Sequence, residues 1–251
     1  MPNTDILPEI TSSNTMRAIV LAEANAQIRL ENIELNVPEC SDNELLIKVE
    51  YVGLNPLDAQ YAKTGFCHWQ YPHVLGLDAV GIVINAPKGI YPNIGARVMW
   101  HASMGDHGVL SEYAKVPNYA VSVVPDSIKP EHAATLPCAG MTALISLDKL
   151  QITEGDTLLI EAGAGAVGQF AIQFAKQRGA DVFTTAAKCN HKLVKSLGAD
   201  VVFDYKDNNL CQKIRRELGP QGFDAVLDSV GGETTVRNIE LMRFCGHIAY
   251  F

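Results

Sequence analysis

The apolar positions follow two different patterns, one before and one after about Pro125. In the first part, short runs of β-prone residues are separated by turn-forming pairs such as Asn55-Pro56 and Gly105-Asp106. Strands at this spacing are typical of a small barrel or sandwich. The predicted strands run over Arg17 to Ala22, Gln27 to Ile33, Leu45 to Val52, Ala79 to Ile84, Arg97 to Trp100 and Ser111 to Val116.

After Pro125 the pattern becomes helical and then alternates between strand and helix. Pro130 to Ala134 predicts a helix start, and the apolar stretch from Thr142 to Leu150 predicts a helix that connects two domains. Beyond Thr153, short strands alternate with helices, which is the pattern of a parallel doubly wound sheet. Its predicted strands are Thr157 to Ile160, Val182 to Thr185, Val201 to Phe203, Phe223 to Leu227 and His247 to Phe251.

These patterns predict an α/β protein with two domains. The chain has 251 residues, 47% of them hydrophobic, which is enough to bury two cores. We predict a strand-rich domain over residues 16–135 and a doubly wound domain over residues 136–251. Residues 1–15 lack the cationic start and the apolar centre of a signal peptide, and we predict a flexible extension there.

The net charge and the cysteines exclude several classes of function. A formal charge of -8 disfavours binding to nucleic acids and to anionic membrane surfaces. All apolar runs are shorter than the roughly 20 residues that a membrane-spanning helix needs. The six cysteines include no C-x-x-C pair, so the sequence suggests neither a disulfide framework nor a zinc knuckle. We therefore expect a cytoplasmic protein with reduced thiols.

A glycine-rich loop in the second domain carries the most specific chemistry. Residues 161–168 read Glu-Ala-Gly-Ala-Gly-Ala-Val-Gly, a G-x-G-x-x-G motif in the strand-to-helix context that dinucleotide binding requires. Gly163 permits a tight turn, Gly165 lets the backbone approach a pyrophosphate, and Gly168 lets the helix pack against the strand. Free N–H groups at the helix start would then face the phosphates, and the alternative is a merely structural turn. The candidate cofactor residues of this loop are Gly163, Gly165, Ala166, Val167 and Gly168.

The residues after the second strand of this domain favour NADP(H) over NAD(H). A site selective for NAD places Asp or Glu about 20 residues after the glycines, where it binds the ribose 2'-hydroxyl. Ala186 and Ala187 occupy that place. Lys188 and Lys192 follow, and their charges would neutralise a 2'-phosphate. The alternative is that both lysines are solvated residues at a helix start.

Four stretches of the chain are collinear motifs of one family. They are Gly53-Leu54-Asn55-Pro56-Leu57-Asp58, Leu75-Gly76-Leu77-Asp78-Ala79-Val80-Gly81, Leu136-Pro137-Cys138-Ala139-Gly140-Met141-Thr142-Ala143 and Gly163 through Tyr205. Together they resemble the zinc-independent quinone oxidoreductase-like branch of the medium-chain dehydrogenase/reductase superfamily. The resemblance implies a GroES-like β-barrel domain followed by a Rossmann domain with a doubly wound parallel sheet, and it implies that NADP(H) and substrate bind between them.

The same resemblance implies that no metal is bound. Zinc-dependent relatives hold a catalytic metal with a cysteine early in the barrel, a histidine in a Gly-His-Glu sequence and a second cysteine near the bridge. Asn55 stands at the first position and Leu77 at the second, and only Cys138 matches the third. Leu77 cannot coordinate a metal, and Asp78 with Cys138 supplies too few ligands for a catalytic zinc site.

The missing metal ligands favour reduction of an activated C=C bond, because alcohol oxidation would lack a Lewis acid. The resemblance thus implies an NADP-dependent oxidoreductase whose substrate is a small-molecule carbonyl compound (an enone) or a quinone. Hydride would add to the carbon conjugated to the carbonyl, and Asn55 would stabilise the enolate with a hydrogen bond. The alternative for Asn55 is a turn residue before Pro56. Tyr61 is the candidate proton donor, with His68 or water as alternatives.

Four further positions resemble cofactor contacts of the family. Thr142 resembles the threonine beside the nicotinamide, and Tyr205 resembles the tyrosine that flanks the adenosine phosphate. Ser229 and Val230 end a strand where the nicotinamide ribose is expected to pass, because ligands of such sheets bind at the carboxyl ends of the strands.

The relatives continue for several dozen residues beyond the position of Phe251. We therefore expect a Rossmann sheet truncated at the C-terminus, and a homodimer, possible in the full-length family, is doubtful for this chain. Two hypotheses remain open at this point. One is an active NADPH-dependent, metal-free reductase, and the other is an NADP-binding protein of low or no activity, or an inactive fragment of such a reductase.

Overall fold

The computed structural model of the chain describes residues 14–25 and 27–251. The chain divides into two compact units, Met1–Cys138 and Ala139–Phe251, whereas the sequence placed the boundary slightly earlier, between residues 135 and 136. Most of the predicted extension over residues 1–15 lies outside the described residues. Its last residue, Thr15, is already the first residue of a strand.

The first unit is built from strands, two short helices and the start of a longer helix. Its elements are β1 (Thr15–Leu21), β2 (Leu30–Asn36), β3 (Glu44–Gly53), α1 (Pro56–Thr64), β4 (His73–Val74), β5 (Asp78–Asn85), β6 (Arg97–His101), β7 (Tyr113–Pro117), β8 (Val121–Val123), α2 (Pro130–Ala133) and α3 (Pro137–Lys149), which continues into the second unit. The strands form a three-stranded sheet in the order β2-β1-β4 and a five-stranded sheet in the order β7-β3-β5-β6-β8. Both sheets are antiparallel.

Local hydrogen bonds explain where this unit departs from the sequence-based elements. Strand β2 begins at Leu30 rather than Gln27, because the Gln27 N–H donates to the Asn25 side chain and is held in a turn. The turn predicted at Asn55-Pro56 is instead the start of helix α1. Proline occupies the first helical position, and the backbone N–H of Asn55 donates to the Asp58 carboxylate at 2.7 Å.

The core of the five-stranded sheet consists of aliphatic side chains and one tryptophan. Its buried members on the strands include Leu45, Ile47, Ala79, Val83, Val98 and Trp100. They come from β3, β5 and β6, which places these three strands at the centre of the unit. The polar residues at the ends of β5 and β6 are therefore carried on a packed framework.

The second unit is a parallel sheet with helices between its strands. Its elements after α3 are β9 (Thr157–Ile160), α4 (Ala166–Gln177), β10 (Asp181–Ala186), α5 (His191–Ser196), β11 (Val201–Asp204), α6 (Leu210–Leu218), β12 (Phe223–Asp228), α7 (Glu233–Leu241) and β13 (Met242–Tyr250). The strand order is β11-β10-β9-β12-β13, and all neighbours are parallel. The predicted α/β fold with a GroES-like unit and a Rossmann-type sheet is confirmed.

The strand order of the second unit fixes the place where a ligand binds in such a sheet. From β9 the chain proceeds through β10 to β11 on one side and then returns to β12 on the other side. Ligands of doubly wound sheets bind at the carboxyl ends of the strands where this reversal occurs. The glycine-rich loop follows β9, so it lies at that position.

The largest differences from the predicted limits are at the start of α3 and at the start of the last strand. Helix α3 begins at Pro137 rather than near Thr142. Strand β13 begins at Met242 rather than His247, and its pairing with β12 shifts register between Phe223 and Ala225. No helix within residues 14–25 and 27–251 is both long enough and apolar enough to cross a membrane.

Candidate functional site

The glycine-rich loop is packed so closely that two of its glycines admit no side chain. A Cβ at Gly163 would lie 2.0 Å from the Thr184 hydroxyl oxygen. A Cβ at Gly168 would lie 2.5 Å from the backbone oxygen of Ala162 and 2.7 Å from the Cα of Gly163. The residue with positive φ in this turn is Ala162, at 52°, rather than a glycine. Gly168 is thus the residue that lets helix α4 approach the loop.

The start of helix α4 presents backbone N–H groups at the end of the loop. Gly165 is the N-cap, and the first intrahelical bond runs from Gln169 N to Gly165 O. The N–H groups of Ala166, Val167 and Gly168 precede it and have no intrahelical acceptor. Gly165 and Ala166 are exposed, so an anion can reach these groups. A pyrophosphate fits this cradle.

A buried ion pair lies directly before the glycines. Glu161 is only 2% exposed and accepts a hydrogen bond from the Thr185 hydroxyl at 2.6 Å. Its other carboxylate oxygen forms an ion pair with Arg237 of helix α7, which is 19% exposed. The guanidinium neutralises a carboxylate that would otherwise repel phosphate near the loop. Sequence reasoning missed this pair, because Glu161 and Arg237 meet only through the fold.

We expect Arg237→Met to lower the free energy of unfolding by about 3 kcal/mol, because a buried carboxylate loses its partner. Urea denaturation measures this change. The double variant Glu161→Gln, Arg237→Met should recover most of the loss. The matched control Arg216→Met removes a guanidinium that is 76% exposed, and its effect should stay within about 0.5 kcal/mol. Equal losses in the single and double variants would contradict this account.

A buried carboxylate organises the turn after strand β12. Asp228 accepts hydrogen bonds from the N–H groups of Val230 and Gly231 and from the Thr235 hydroxyl. Burial raises the pKa of Asp228, but these hydrogen bonds, led by the one from Thr235, outweigh it and lower the pKa overall. The Ser229 hydroxyl donates to the backbone oxygen of Glu161 at 3.3 Å. Ser229 thus contacts the residue before the glycines, next to exposed Val230, and the role of both residues as ribose contacts stays a prediction.

The remaining predicted cofactor residues are less constrained. Lys188 is exposed, with its Nζ 4.0 Å from a carboxylate oxygen of Asp204, and exposed Lys192 lies in α5. Tyr205 directly follows β11, is exposed, and has the ammonium of Lys206 5.7 Å from its ring centroid. Thr142 is half-buried in α3. Lys188, Lys192 and Tyr205 are exposed and accessible to a ligand. No contact in the described part of the chain assigns a role to any of the four residues.

In the first unit, one buried carboxylate binds three separate segments. Asp78, the first residue of β5, is 1% exposed. Its Oδ2 accepts a hydrogen bond from the side-chain amide of Asn55 at 3.0 Å, and its Oδ1 lies 2.7 Å from Nδ1 of His101. The backbone N–H of Cys138 donates to both oxygens. Asn55 is thus oriented by Asp78, which the sequence analysis considered only as a metal ligand.

A second carboxyl group lies close to this one. Burial raises the pKa of Asp58, the N–H of Asn55 lowers it, and the neighbouring Asp78 carboxylate raises it further, so that the net shift is upward. The two acidic groups flank Asn55, since each accepts a hydrogen bond from it. The Asn55 amide is therefore held at its backbone and at its side chain.

The metal question depends on the same residues. Asp78, His101 and Cys138 offer ligand atoms that all lie within 4.8 Å of one another, the one such group found in the described part of the chain. Sequence reasoning missed His101. Both Asp78 oxygens already accept hydrogen bonds, and we interpret the cluster as a hydrogen-bonded network. Leu77, at the histidine position of zinc-dependent relatives, is buried. The absence of a metal stays a prediction that elemental analysis tests.

Tyr61 lies in an aromatic cluster. Its ring contacts Phe66 edge-on at a centroid distance of 5.5 Å and Trp69 at 6.0 Å. Tyr61 also lines a cavity of about 10 Å³ with Asp58 and His73, which is room for about one water molecule. His68, the alternative donor, is exposed and has a φ of 77°. No hydrogen bond among the described residues connects Tyr61 or His68 to Asn55.

We expect His73 to make the stability of the first unit depend on pH. Its ring stacks on Trp69 at 3.9 Å, and burial followed by repulsion from His107 lowers its pKa from 6.5 to about 4. Because the folded-state pKa is depressed, the neutral form is favoured, and stability is fully present above pH 6.5 and is lost as the pH falls through that window towards 4. We expect the free energy of unfolding to fall by about 3 kcal/mol across it.

His73→Phe tests this expectation, because it keeps the ring and removes the titration. The variant should lack about 3 kcal/mol of the wild-type decrease between pH 6.5 and 4, measured by urea denaturation at each pH. The same pH dependence in both proteins would contradict the assignment.

Two family models match this chain. Residues 41–126 match an alcohol dehydrogenase GroES-like domain, and residues 166–251 match a zinc-binding dehydrogenase. A GroES-like unit followed by a Rossmann-type sheet with a glycine-rich loop defines the medium-chain dehydrogenase/reductase superfamily. Within it, the chain belongs to the quinone oxidoreductase-like branch.

Individual relatives agree with this placement. A trans-enoyl reductase of Aspergillus terreus is 37% identical over 196 residues, which cover 70% of this chain and 65% of the relative. The quinone oxidoreductase of Coxiella burnetii superposes with a TM-score of 0.83 at 34% identity, covering 93% of this chain and 74% of that structure. A mycobacterial protein complexed with NADPH superposes with a TM-score of 0.82 at 31% identity, covering 94% and 74%. This chain spans between about a half and two thirds of the length of the curated relatives that it matches.

Proposed function

We propose that this protein is an NADPH-dependent reductase of activated C=C bonds or quinones that works without a metal. The observation that carries the proposal is the Asn55 amide held on buried Asp78, next to a leucine where zinc-dependent relatives have a ligand. The relatives named trans-enoyl reductase and quinone oxidoreductase support this reaction class.

Features of the second unit support the proposal that the protein binds NADPH. The absence of side chains at Gly163 and Gly168 lets the backbone of the loop and of α4 pack closely. The N–H groups at the start of α4 then suit a dinucleotide pyrophosphate. When bound, NADPH supplies the hydride. The chain's residues then bind and orient: Arg237 cancels the charge of Glu161, and the Asp228 network fixes the turn at Ser229 and Val230.

In the first unit, Asn55 supplies a hydrogen-bond donor for the substrate oxygen. One N–H of its side-chain amide is used by Asp78, and the second remains to stabilise an enolate or a quinol oxygen. Because Asp78 is buried and also bonded to Cys138, the amide is held before the substrate arrives. Such preorganised donors stabilise developing charge without reorganisation at the moment of reaction.

We also propose that NADPH is preferred over NADH through the lysines after β10. Lys188→Ala and Lys192→Ala should each weaken NADPH binding about tenfold, as one lost charge-assisted contact with the 2'-phosphate. NADH binding should be unchanged, and so should NADPH binding to Lys149→Ala, which removes an exposed lysine at the end of α3. Fluorescence titration measures these affinities. Equal weakening for both nucleotides would show that the lysines do not contact the 2'-phosphate.

The remaining proposals concern the surroundings of the reaction. The substrate is a small molecule, and we place the protein in the cytoplasm, because no disulfide joins any of the cysteines in the described part of the chain, as expected in a reducing compartment.

Turnover of a substrate panel tests the proposed function. The chelator-treated protein is mixed with NADPH and with an enone, a quinone or, in reverse with NADP, a simple alcohol. We expect rates with the enone or the quinone that added zinc does not change. Activity that required zinc, or alcohol oxidation at an equal rate, would overturn the proposal.

A further inference from the structure

Strand pairing brings a histidine to the same carboxylate that holds Asn55. In the antiparallel pair of β5 and β6, Asp78 is the direct partner of His101. Side chains opposite each other on neighbouring strands point to the same face of a sheet. The Nδ1 of His101 accordingly lies 2.7 Å from Oδ1 of Asp78. The two residues form an acid–imidazole pair with a buried carboxylate and a partly exposed ring, at the start of β5 and the end of β6.

The pair fixes the tautomer and the direction of the ring. An Asp78 carboxylate accepts hydrogen bonds, so Nδ1 of His101 carries the proton that faces it. The Nε2 atom lies on the other side of the ring and is free to exchange a proton elsewhere. The His101 side chain is 25% exposed, whereas that of Asp78 is 1% exposed. A carboxylate that orients a histidine in this way is the arrangement of a general acid–base pair.

The same carboxylate places this ring beside the proposed oxyanion donor. Oδ1 of Asp78 contacts His101, and Oδ2 contacts the Asn55 amide. The Asn55 amide and the His101 imidazole are therefore held on the two oxygens of one carboxylate. Tyr61, packed between Phe66 and Trp69, shares no hydrogen bond with this carboxylate among the described residues.

We infer that His101, oriented by Asp78, is the catalytic acid that protonates the α carbon in the proposed reduction. This inference rests on the proposed function. Hydride that bound NADPH would supply adds to the β carbon. The C=C π electrons then form the double bond between the α carbon and the carbonyl carbon, the C=O π electrons move to the oxygen, and Asn55 stabilises that oxygen. In the imidazolium form of His101 both ring nitrogens carry protons, and the Nε2 proton adds to the α carbon as the carbonyl reforms, which leaves the Nδ1 proton facing Asp78. One proton from the solvent then restores the imidazolium, so the overall reaction consumes the enone, NADPH and one proton.

The stereochemistry of protonation tests the inference. The wild-type protein reduces 2-methylcyclopent-2-enone with NADPH in D₂O, and NMR with chiral chromatography reports the configuration of the deuterated α carbon. We expect one configuration. The variant His101→Asn keeps a hydrogen-bond donor at the position of Nδ1 but has no group that can donate a proton to the α carbon. It should lower kcat by about 100-fold and give both α configurations, while the affinity for NADPH is unchanged.

Controls make each outcome decisive. His132→Gln, an exposed histidine on α2, should retain the wild-type kcat and configuration. His101→Gln serves if His101→Asn does not fold, and added imidazole should restore part of the rate to His101→Ala. A variant at position 101 that keeps the wild-type kcat and one α configuration would overturn the inference. The inference would also be overturned if the wild-type protein contained one equivalent of zinc and His101→Asn contained none, because the His101 ring would then be a zinc ligand. If the wild-type protein reduces no enone or quinone, the proposed function itself fails.

Discussion

Gly168→Ala is expected to remove measurable NADPH binding, with the affinity falling by more than about 100-fold. The added Cβ would lie within 2.9 Å of three atoms, the Ala162 oxygen and the Cα and C atoms of Gly163. All three belong to the backbone, so no side-chain rotation relieves the overlap. Helix α4 would have to move away from the loop, and its N–H groups would move with it. Loss of that geometry removes the anion cradle.

The stability of the same variant should fall by about 1–3 kcal/mol, the usual cost of overpacking a close contact. Gly140→Ala is the matched control, because Gly140 also lies in a helix and a Cβ there meets no atom within 4 Å. That change should raise stability by about 0.5–1 kcal/mol, since alanine favours helix more than glycine does. Fluorescence titration and urea denaturation measure both effects. NADPH binding by Gly168→Ala within threefold of wild type would contradict the assignment of the loop.

Asn55→Ala is expected to lower kcat by about 100-fold or more on an enone, the usual effect of removing one donor from an oxyanion site. The fold should change little at this position, because the Asn55 backbone N–H still donates to Asp58. The affinity for NADPH should also stay unchanged, since the glycine loop belongs to the second unit. Initial rates and a nucleotide titration separate these effects.

Asn55→Asp is the informative companion to this variant. It retains the size of the side chain but places a carboxylate against Asp78 and removes the donor. Its kcat should be at least as low as that of Asn55→Ala, because a negative charge would oppose an enolate. A wild-type kcat in Asn55→Ala would show that Asn55 is only the N-cap of α1 and that another group stabilises the oxygen.

The nucleotide loop could be predicted from the sequence because its determinants are local. Strand, glycines and helix follow one another within residues 157–177, and the close contacts at Gly163 and Gly168 arise within that unit. The alternation of strands and helices after Thr153 likewise depends on short-range periodicity. These features therefore matched the structure closely.

The polar centre of the first unit could be predicted only in part. Asn55 and Asp78 were recognised from family motifs, but their hydrogen bond depends on tertiary packing. His101 was missed because it meets Asp78 through the register of β5 and β6, and the connection between Asn85 and Arg97 leaves that register open. Extending the predicted strand by one residue to His101 and pairing it with β5 would have supplied the signal.

The ion pair of Glu161 and Arg237 could not be predicted for a similar reason. The two residues lie far apart in the chain, and only the return of the chain to β12 and α7 brings them together. Helix α1 shows the opposite case, a local error. Asn55-Pro56 is compatible with a turn and with a helix start, and the acceptor at Asp58 favours the helix start.

Deuterium transfer from labelled cofactor tests the central claim most directly. The chelator-treated protein is incubated with NADPH deuterated at the transferable C4 position and with 2-methylcyclopent-2-enone, and the product is examined by NMR. Conjugate reduction predicts a saturated ketone with deuterium at the β carbon. An allylic alcohol with deuterium at the carbonyl carbon, or no product at all, would contradict the proposed reaction.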